Sequence, residues 1–165
     1  MNVNKNLDIT QDDMNYIKLA CDIASENIDR GGGPFGAVIV RDGEIIATGS
    51  NTVTLDNDPT AHAEMNAIRR ACSVSQNFKL DGCVVYSSCE PCPMCLSALY
   101  WAGVKRIYYA NTRDDAAGID FDNLFIYQEI AKPNLNRSIP CIHLDYEHSI
   151  EHFRKWAAKI DKIEY

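Results

Sequence analysis

Between Thr10 and Arg30 the apolar residues Met14, Ile17, Ala20, Cys21, Ala24 and Ile28 recur every three or four positions, the period of a helix that buries one face. Thr10 is placed to cap its first turn, and Gly31 ends it. Phe35 to Val40 and Glu44 to Thr48 are two short runs rich in Ala, Val and Ile, separated by Asp42-Gly43, which predicts a β-hairpin with a tight primed turn. A second helix is predicted to start at Asp58-Pro59-Thr60 and to run to about Cys72. Residues 83 to 87 (CVVYS) read as a buried strand, Pro93 to Ala102 as a third helix, and Lys105 to Ala110 as a further strand. After Asn111 the pattern weakens. A loop carrying Asp114, Asp115 and Gly118 is expected to lead into a helix over Phe121 to Ile130, then a polar turn. Ile139 to Leu144 reads as a last strand, and Ile150, Phe153, Trp156, Ala157 and Ile160 mark an amphipathic terminal helix.

This order predicts a three-layer α/β domain (αβα) whose later strands are joined by helical crossovers and so run parallel. A chain of 165 residues is too short for two independent cores, and it contains no internal repeat or low-complexity tract. Hydrophobic residues make up 46% and charged residues 24%, which excludes a disordered or collagen-like chain. No apolar run reaches the roughly 18 residues of a membrane span. Met1 to Asp13 is polar and partly acidic, unlike a secretory leader, so a cytoplasmic setting is expected. The formal net charge of −7 disfavours long nucleic acids as partners, because phosphate contacts need clustered Lys and Arg.

Seven cysteines, an odd number, are better read as thiols or metal ligands than as disulfides. Cys89, Cys92 and Cys95 crowd into one short segment. Cys92 and Cys95 flank the start of the third helix, with Pro93 at the position where a missing N–H costs nothing, so both thiols can face one point. The positive end of a helix favours the thiolates that zinc requires. With His62 they make a set of one imidazole and two thiolates, which leaves a tetrahedral zinc one corner for water. Glu64, two residues beyond His62, is not expected to bind the same ion but can stand beside that water and carry its proton.

His62-Ala63-Glu64 together with Pro91-Cys92-Pro93-Met94-Cys95 resembles the zinc-binding pattern of the cytidine deaminase superfamily. PTAHAEMNAIRRAC (59–72) and SCEPCPMCLSALYWA (88–102) carry the resemblance, and GGPFGAVIV (32–40), FDNLFIYQEIAKP (121–133) and KIEY (162–165) extend it toward the branch that acts on guanine. The resemblance implies a mixed five-stranded sheet flanked by helices and one catalytic zinc per subunit, bound by His62, Cys92 and Cys95. It implies Glu64 as proton shuttle and a purine base as substrate, guanine going to xanthine and ammonia. It further implies a homodimer that exchanges its C-terminal segment, about residues 134–165, so that Tyr165 reaches the partner's site. Asn51, Trp101, Asp122, Asn123 and Tyr165 would contact the base. The family's segment usually reads FDD where this chain has Phe121-Asp122-Asn123. An aspartate offers acceptors only, whereas Asn123 offers one acceptor and one donor group, which leaves guanosine and other nucleosides open as substrates.

Other readings attach to the same residues. A tRNA adenosine deaminase carries a similar motif. A structural zinc knot, with Cys89 as fourth ligand, would be no enzyme at all. Gly31-x-Gly33-x-x-Gly36 matches a dinucleotide fingerprint as a string, but it precedes a strand instead of following one, so a sharp turn is expected there. His143, His148 and His152 lack ligand spacing to any cysteine, and Cys21 and Cys72 lie on apolar helix faces. Trp101 and Tyr100 are equally readable as core residues, and Tyr165 as a frayed end.

Overall fold

The computed structural model describes residues 8–164, and Tyr165 lies outside them. The chain forms two compact units, one ending at Asn123 and the other beginning at Leu124.

In the first unit, helix α1 (Gln11–Asp29) begins as the sequence predicts. Thr10 accepts from the Asp13 N–H while Asp13 reaches back to the Thr10 N–H, a reciprocal capping box. Strands β1 (Gly33–Arg41) and β2 (Glu44–Asn51) make the predicted hairpin, with Asp42 (φ 51°) and Gly43 (φ 84°) both in the left-handed region that a primed turn demands. A short helix α2 (Val53–Asp56) precedes α3 (Ala63–Ser75), so the second long helix starts after His62 instead of at Asp58. Asp58 instead accepts from the Thr60 N–H and hydroxyl, a local turn that delays the helix. Strand β3 (Val84–Cys89), helix α4 (Pro93–Ala102) and strand β4 (Arg106–Asn111) follow the predicted order. The expected loop at Asp114 and Asp115 is a one-turn helix, α5 (Arg113–Ala117), nucleated by a second capping box between Thr112 and Asp115.

The sheet order is β2-β1-β3-β4, with β1 antiparallel to β2 and β3, and β3 parallel to β4. Among the described residues the sheet thus has four strands and not five. Alternation along β1 and β3 separates two cores. Ala37, Ile39 and Val85 meet Ala63, Ala67 and Leu99 on one face, while Val38, Val40 and Tyr86 meet Ala20 on the other. Two glycines set how closely the helices approach. A Cβ on Gly36 would stand 2.3 Å from the Ala20 carbonyl oxygen, and one on Gly49 would stand 2.1 Å from that of Ala63, so α1 and α3 rest backbone-on-strand. Gly36 therefore serves helix packing, while Gly31 (φ 85°) makes the sharp turn.

The second unit holds α6 (Leu124–Ala131), a 3₁₀ turn (Asn134–Asn136) and α7 (Glu151–Ala158). The strand expected over Ile139 to Leu144 does not form. A strand needs a partner edge to satisfy its backbone, and this segment pairs with none of the described strands; Ile139, Ile142 and Leu144 stay exposed. Among the described residues, no helix is long and apolar enough to cross a membrane.

Candidate metal centre and active site

Because β2, β3 and β4 all run opposite to β1, their carboxyl ends gather at the edge where β1 begins. Helices α3 and α4 point their N-termini at that edge. His62 is the N-cap of α3 and Cys92 the N-cap of α4, both with extended backbone, and Pro93 occupies the first helical position. The His62 side chain makes no capping bond to its own helix, and its imidazole turns toward the Cys92 thiol.

His62 Nδ1 lies 3.6 Å from Cys92 Sγ and 3.6 Å from Cys95 Sγ, and the three donor atoms all fall within 4.8 Å of one another. The donor set fits zinc. Tetrahedral angles with ordinary Zn–N and Zn–S bonds place nitrogen and sulfur about 3.6 Å apart. Cys92 is pulled down to about 4, first by the hydrogen bond from Cys95 and then by His62, which itself is raised by bonding to Cys92. Cys95, buried beside that thiolate, is pushed up. One sulfur is thus poised as an anion at two helix N-termini.

Glu64 is buried on the first turn of α3. Burial raises its carboxyl above the usual range, and its side chain bonds Cys95. Ser87, on the same face of β3 as Val85, donates from Oγ to Glu64 Oε1 at 3.1 Å. Because His62 lies outside the helix as its cap, the usual divergence of residues two apart on a helix does not separate them, and Glu64 abuts the sulfur cluster without belonging to it. The arrangement can hold a metal and place a carboxyl next to it.

Cys89 does not join the cluster. Its thiol donates to the Thr112 carbonyl at 3.5 Å and is held up at about 11, chiefly by burial. The four-ligand zinc knot therefore loses its fourth sulfur among the described residues.

The remaining expected site residues are scattered more widely. Asn51, buried, ends β2 at the same sheet edge, and its Oδ1 accepts from the Val53 N–H at 3.2 Å. The Phe121 ring packs edge-on against Phe35 of β1 at 5.0 Å, which draws Phe121-Asp122-Asn123 toward that edge. Asp122 is exposed; Asn123 is half-buried, with an Oδ1 enclosed and lacking a hydrogen-bond partner among the described residues. Trp101 is not beside the metal donors of its own chain. It is 66% exposed near the C-terminal end of α4. At helical rise that is about 13 Å along the axis from Cys92. Its carbonyl accepts from Lys79 Nζ.

Residues 10–111 match the family model for the cytidine and deoxycytidylate deaminase zinc-binding region. The chain belongs to this deaminase family. It is 51% identical over 151 residues to guanine deaminase of Bacillus subtilis, covering 91% of this chain and 97% of that protein. The crystal structure of guanine deaminase from that organism superposes with a TM-score of 0.91 at 49% identity, over 95% of this chain and 99% of the other. A tRNA-specific adenosine deaminase of Aquifex aeolicus is 31% identical over 88% of this chain and 93% of its own length. The structure of NE0047 in complex with 2,6-diaminopurine matches with a TM-score of 0.65 at 31% identity, over 70% of this chain and 64% of that one. As a deaminase family member the chain carries its His/Cys/Cys site on the elements the family model spans.

Two residues with no sequence signal stand out. Asn27 of α1 and Asn66 of α3 each send a side-chain amide to the end of β2. A lone asparagine within a helical pattern carries no periodic mark that would single it out.

Proposed function

We propose that this chain is a zinc-dependent aminohydrolase that converts guanine to xanthine and ammonia, with one zinc per subunit held by His62, Cys92 and Cys95. The observation that carries this reading is a three-donor cluster of zinc dimensions with buried Glu64 against it, in a chain 51% identical to a guanine deaminase over 91% of its length.

Held by His62, Cys92 and Cys95, a zinc ion would supply a water of lowered pKa beside Glu64. Glu64 takes that water's proton and holds it, with Ser87 fixing the carboxyl through Oε1. As the water oxygen bonds to C2 of guanine, Glu64 passes the proton to N3, which relieves charge building on the ring. Glu64 then moves the proton of the new C2 hydroxyl to the exocyclic amine, the C2–N bond breaks, and ammonia leaves with the ring carbonyl of xanthine in its place. Guanine and water go in, xanthine and ammonia come out, and the carboxylate is regenerated.

Asn51 is the proposed contact to the base. With its Oδ1 engaged by Val53, the amide NH₂ faces the other way, as a donor to a purine acceptor. The enclosed Oδ1 of Asn123 offers an acceptor for a base N–H, with Asp122 next to it. One acceptor there in place of a carboxylate's two leaves nucleosides such as guanosine as the second reading. Trp101 and Tyr165 are proposed to meet the base of a second subunit.

We read residues 1–165 as one deaminase domain that works as a homodimer, with about 134–165 exchanged between subunits. What supports this is the apolar surface of the C-terminal unit, where Ile139, Ile142, Leu144 and Phe153 are all exposed. Seven unpaired cysteines suit the reducing cytoplasm.

Ammonia release from guanine, guanosine, adenine, cytosine and cytidine tests the assignment. Guanine is expected to be turned over fastest; preference for guanosine selects the second reading. Adenosine deamination in tRNA with no release from any free base would contradict both.

A further inference from the structure

The end of β2 is gripped from both faces of the sheet. From α1, Asn27 is 1% exposed and its Nδ2 donates to the Gly33 carbonyl at 2.8 Å and the Asn51 carbonyl at 2.7 Å. From α3, Asn66 Nδ2 donates to the Ser50 carbonyl and Thr52 Oγ1, each at 2.9 Å, and reaches the Ala61 carbonyl at 3.3 Å. Thr52 N–H bonds the Ala61 carbonyl directly at 2.9 Å. Three consecutive residues, 50 to 52, are therefore tied to two helices and to the peptide preceding His62.

These bonds exceed what packing requires. An apolar side chain at position 27 would fill the same space but withdraw a donor from the Gly33 and Asn51 carbonyls. Instead both amide hydrogens are spent on the two strand ends that flank Asn51. A Cβ on Gly33 would come within 3.1 Å of Asn51 Oδ1, so the Asn51 carboxamide is seated against the very strand end that Asn27 holds. On the other face, Asn66 spans from the flanks of Asn51 to Ala61, and so links the distance between Asn51 and His62 to one side chain.

We propose that Asn27 and Asn66 are positioning residues that fix Asn51 relative to His62 and thereby set the affinity for the purine base. This rests on the assignment of Asn51 to the base. Binding through Asn51 is the same before and during the reaction, so its misplacement raises KM and leaves kcat. A purely structural pair of asparagines would instead lower the melting temperature and leave KM alone.

The test is a double-mutant cycle on the preferred base of the panel above, with zinc content and melting temperature measured alongside. Asn27→Ala and Asn66→Ala are each expected to raise KM about 5- to 20-fold, the loss of one to two hydrogen bonds of positioning, with kcat within about two-fold and zinc retained. In an Asn51→Ala background the same substitutions are expected to change KM by less than about two-fold, because nothing remains to be positioned. Full additivity in the double variants, or single variants that melt earlier with unchanged KM, overturns the proposal. An unchanged KM in Asn51→Ala alone removes the assignment of Asn51, and the positioning with it. A raised KM there beside unaffected Asn27 and Asn66 variants removes only the positioning. Should Asn27→Ala fail to fold, half-buried Asn66→Ala carries the same cycle.

Discussion

Ser87 reaches across from the third strand to donate a 3.1 Å hydrogen bond to Glu64 Oε1, inside the layer between sheet and helix. That bond fixes the Glu64 carboxyl through Oε1. Ser87→Ala is expected to lower kcat about 10- to 100-fold, the worth of one hydrogen bond to a charged group, with KM and zinc content unchanged. Steady-state kinetics with metal analysis checks it.

Glu64→Gln keeps size and burial but cannot carry a proton. It is expected to retain zinc and to lose about 10²- to 10⁴-fold in kcat. A near-native kcat in zinc-loaded Glu64→Gln would remove the carboxyl from its role.

Cys89 and Cys95 are both buried thiols near the same helix start, yet only Cys95 lies within ligand distance of His62. Cys95→Ser is expected to abolish stoichiometric zinc, and Cys89→Ser to keep one zinc per chain. Loss of the metal from both would restore the four-ligand reading.

The Tyr86 hydroxyl donates to Asp13 Oδ1 at 2.6 Å, and that bond is the first cause holding the Asp13 carboxyl below its usual range. A carboxyl depressed in the folded state stabilises above its unfolded pKa, about 3.9, and that contribution fades as pH falls through the folded value. Tyr86→Phe is therefore expected to cost about 1 kcal/mol at pH 7, with the gap to wild type closing below about pH 4. Denaturant melts at pH 7 and pH 3 measure both. A gap that stays constant over that range would mean the bond contributes nothing through Asp13.

Elements carried by periodicity were legible in the chain: the predicted span of α4 agrees with Pro93–Ala102, and the Asp42-Gly43 turn with its left-handed angles. The clustering of His62, Cys92 and Cys95 was legible too, because a cap residue and a Pro-led helix start encode direction locally. What failed depended on partners distant in sequence. Ile139 to Leu144 is a short apolar run that reads as a strand, but strand formation waits on an edge. Asn27 and Asn66 left no trace in the pattern, since one polar residue in a helix reads as surface until the fold brings a strand end against it.

Guanine turnover by one preparation, assayed as purified, after removal of metal by a chelator, and after zinc is returned, bears most directly on the whole account. One zinc per chain, ammonia and xanthine formed in equal amounts, loss of both on chelation and recovery with zinc are expected. Turnover that persists in the metal-free protein, or zinc-loaded protein that releases no ammonia from guanine or guanosine, would contradict it.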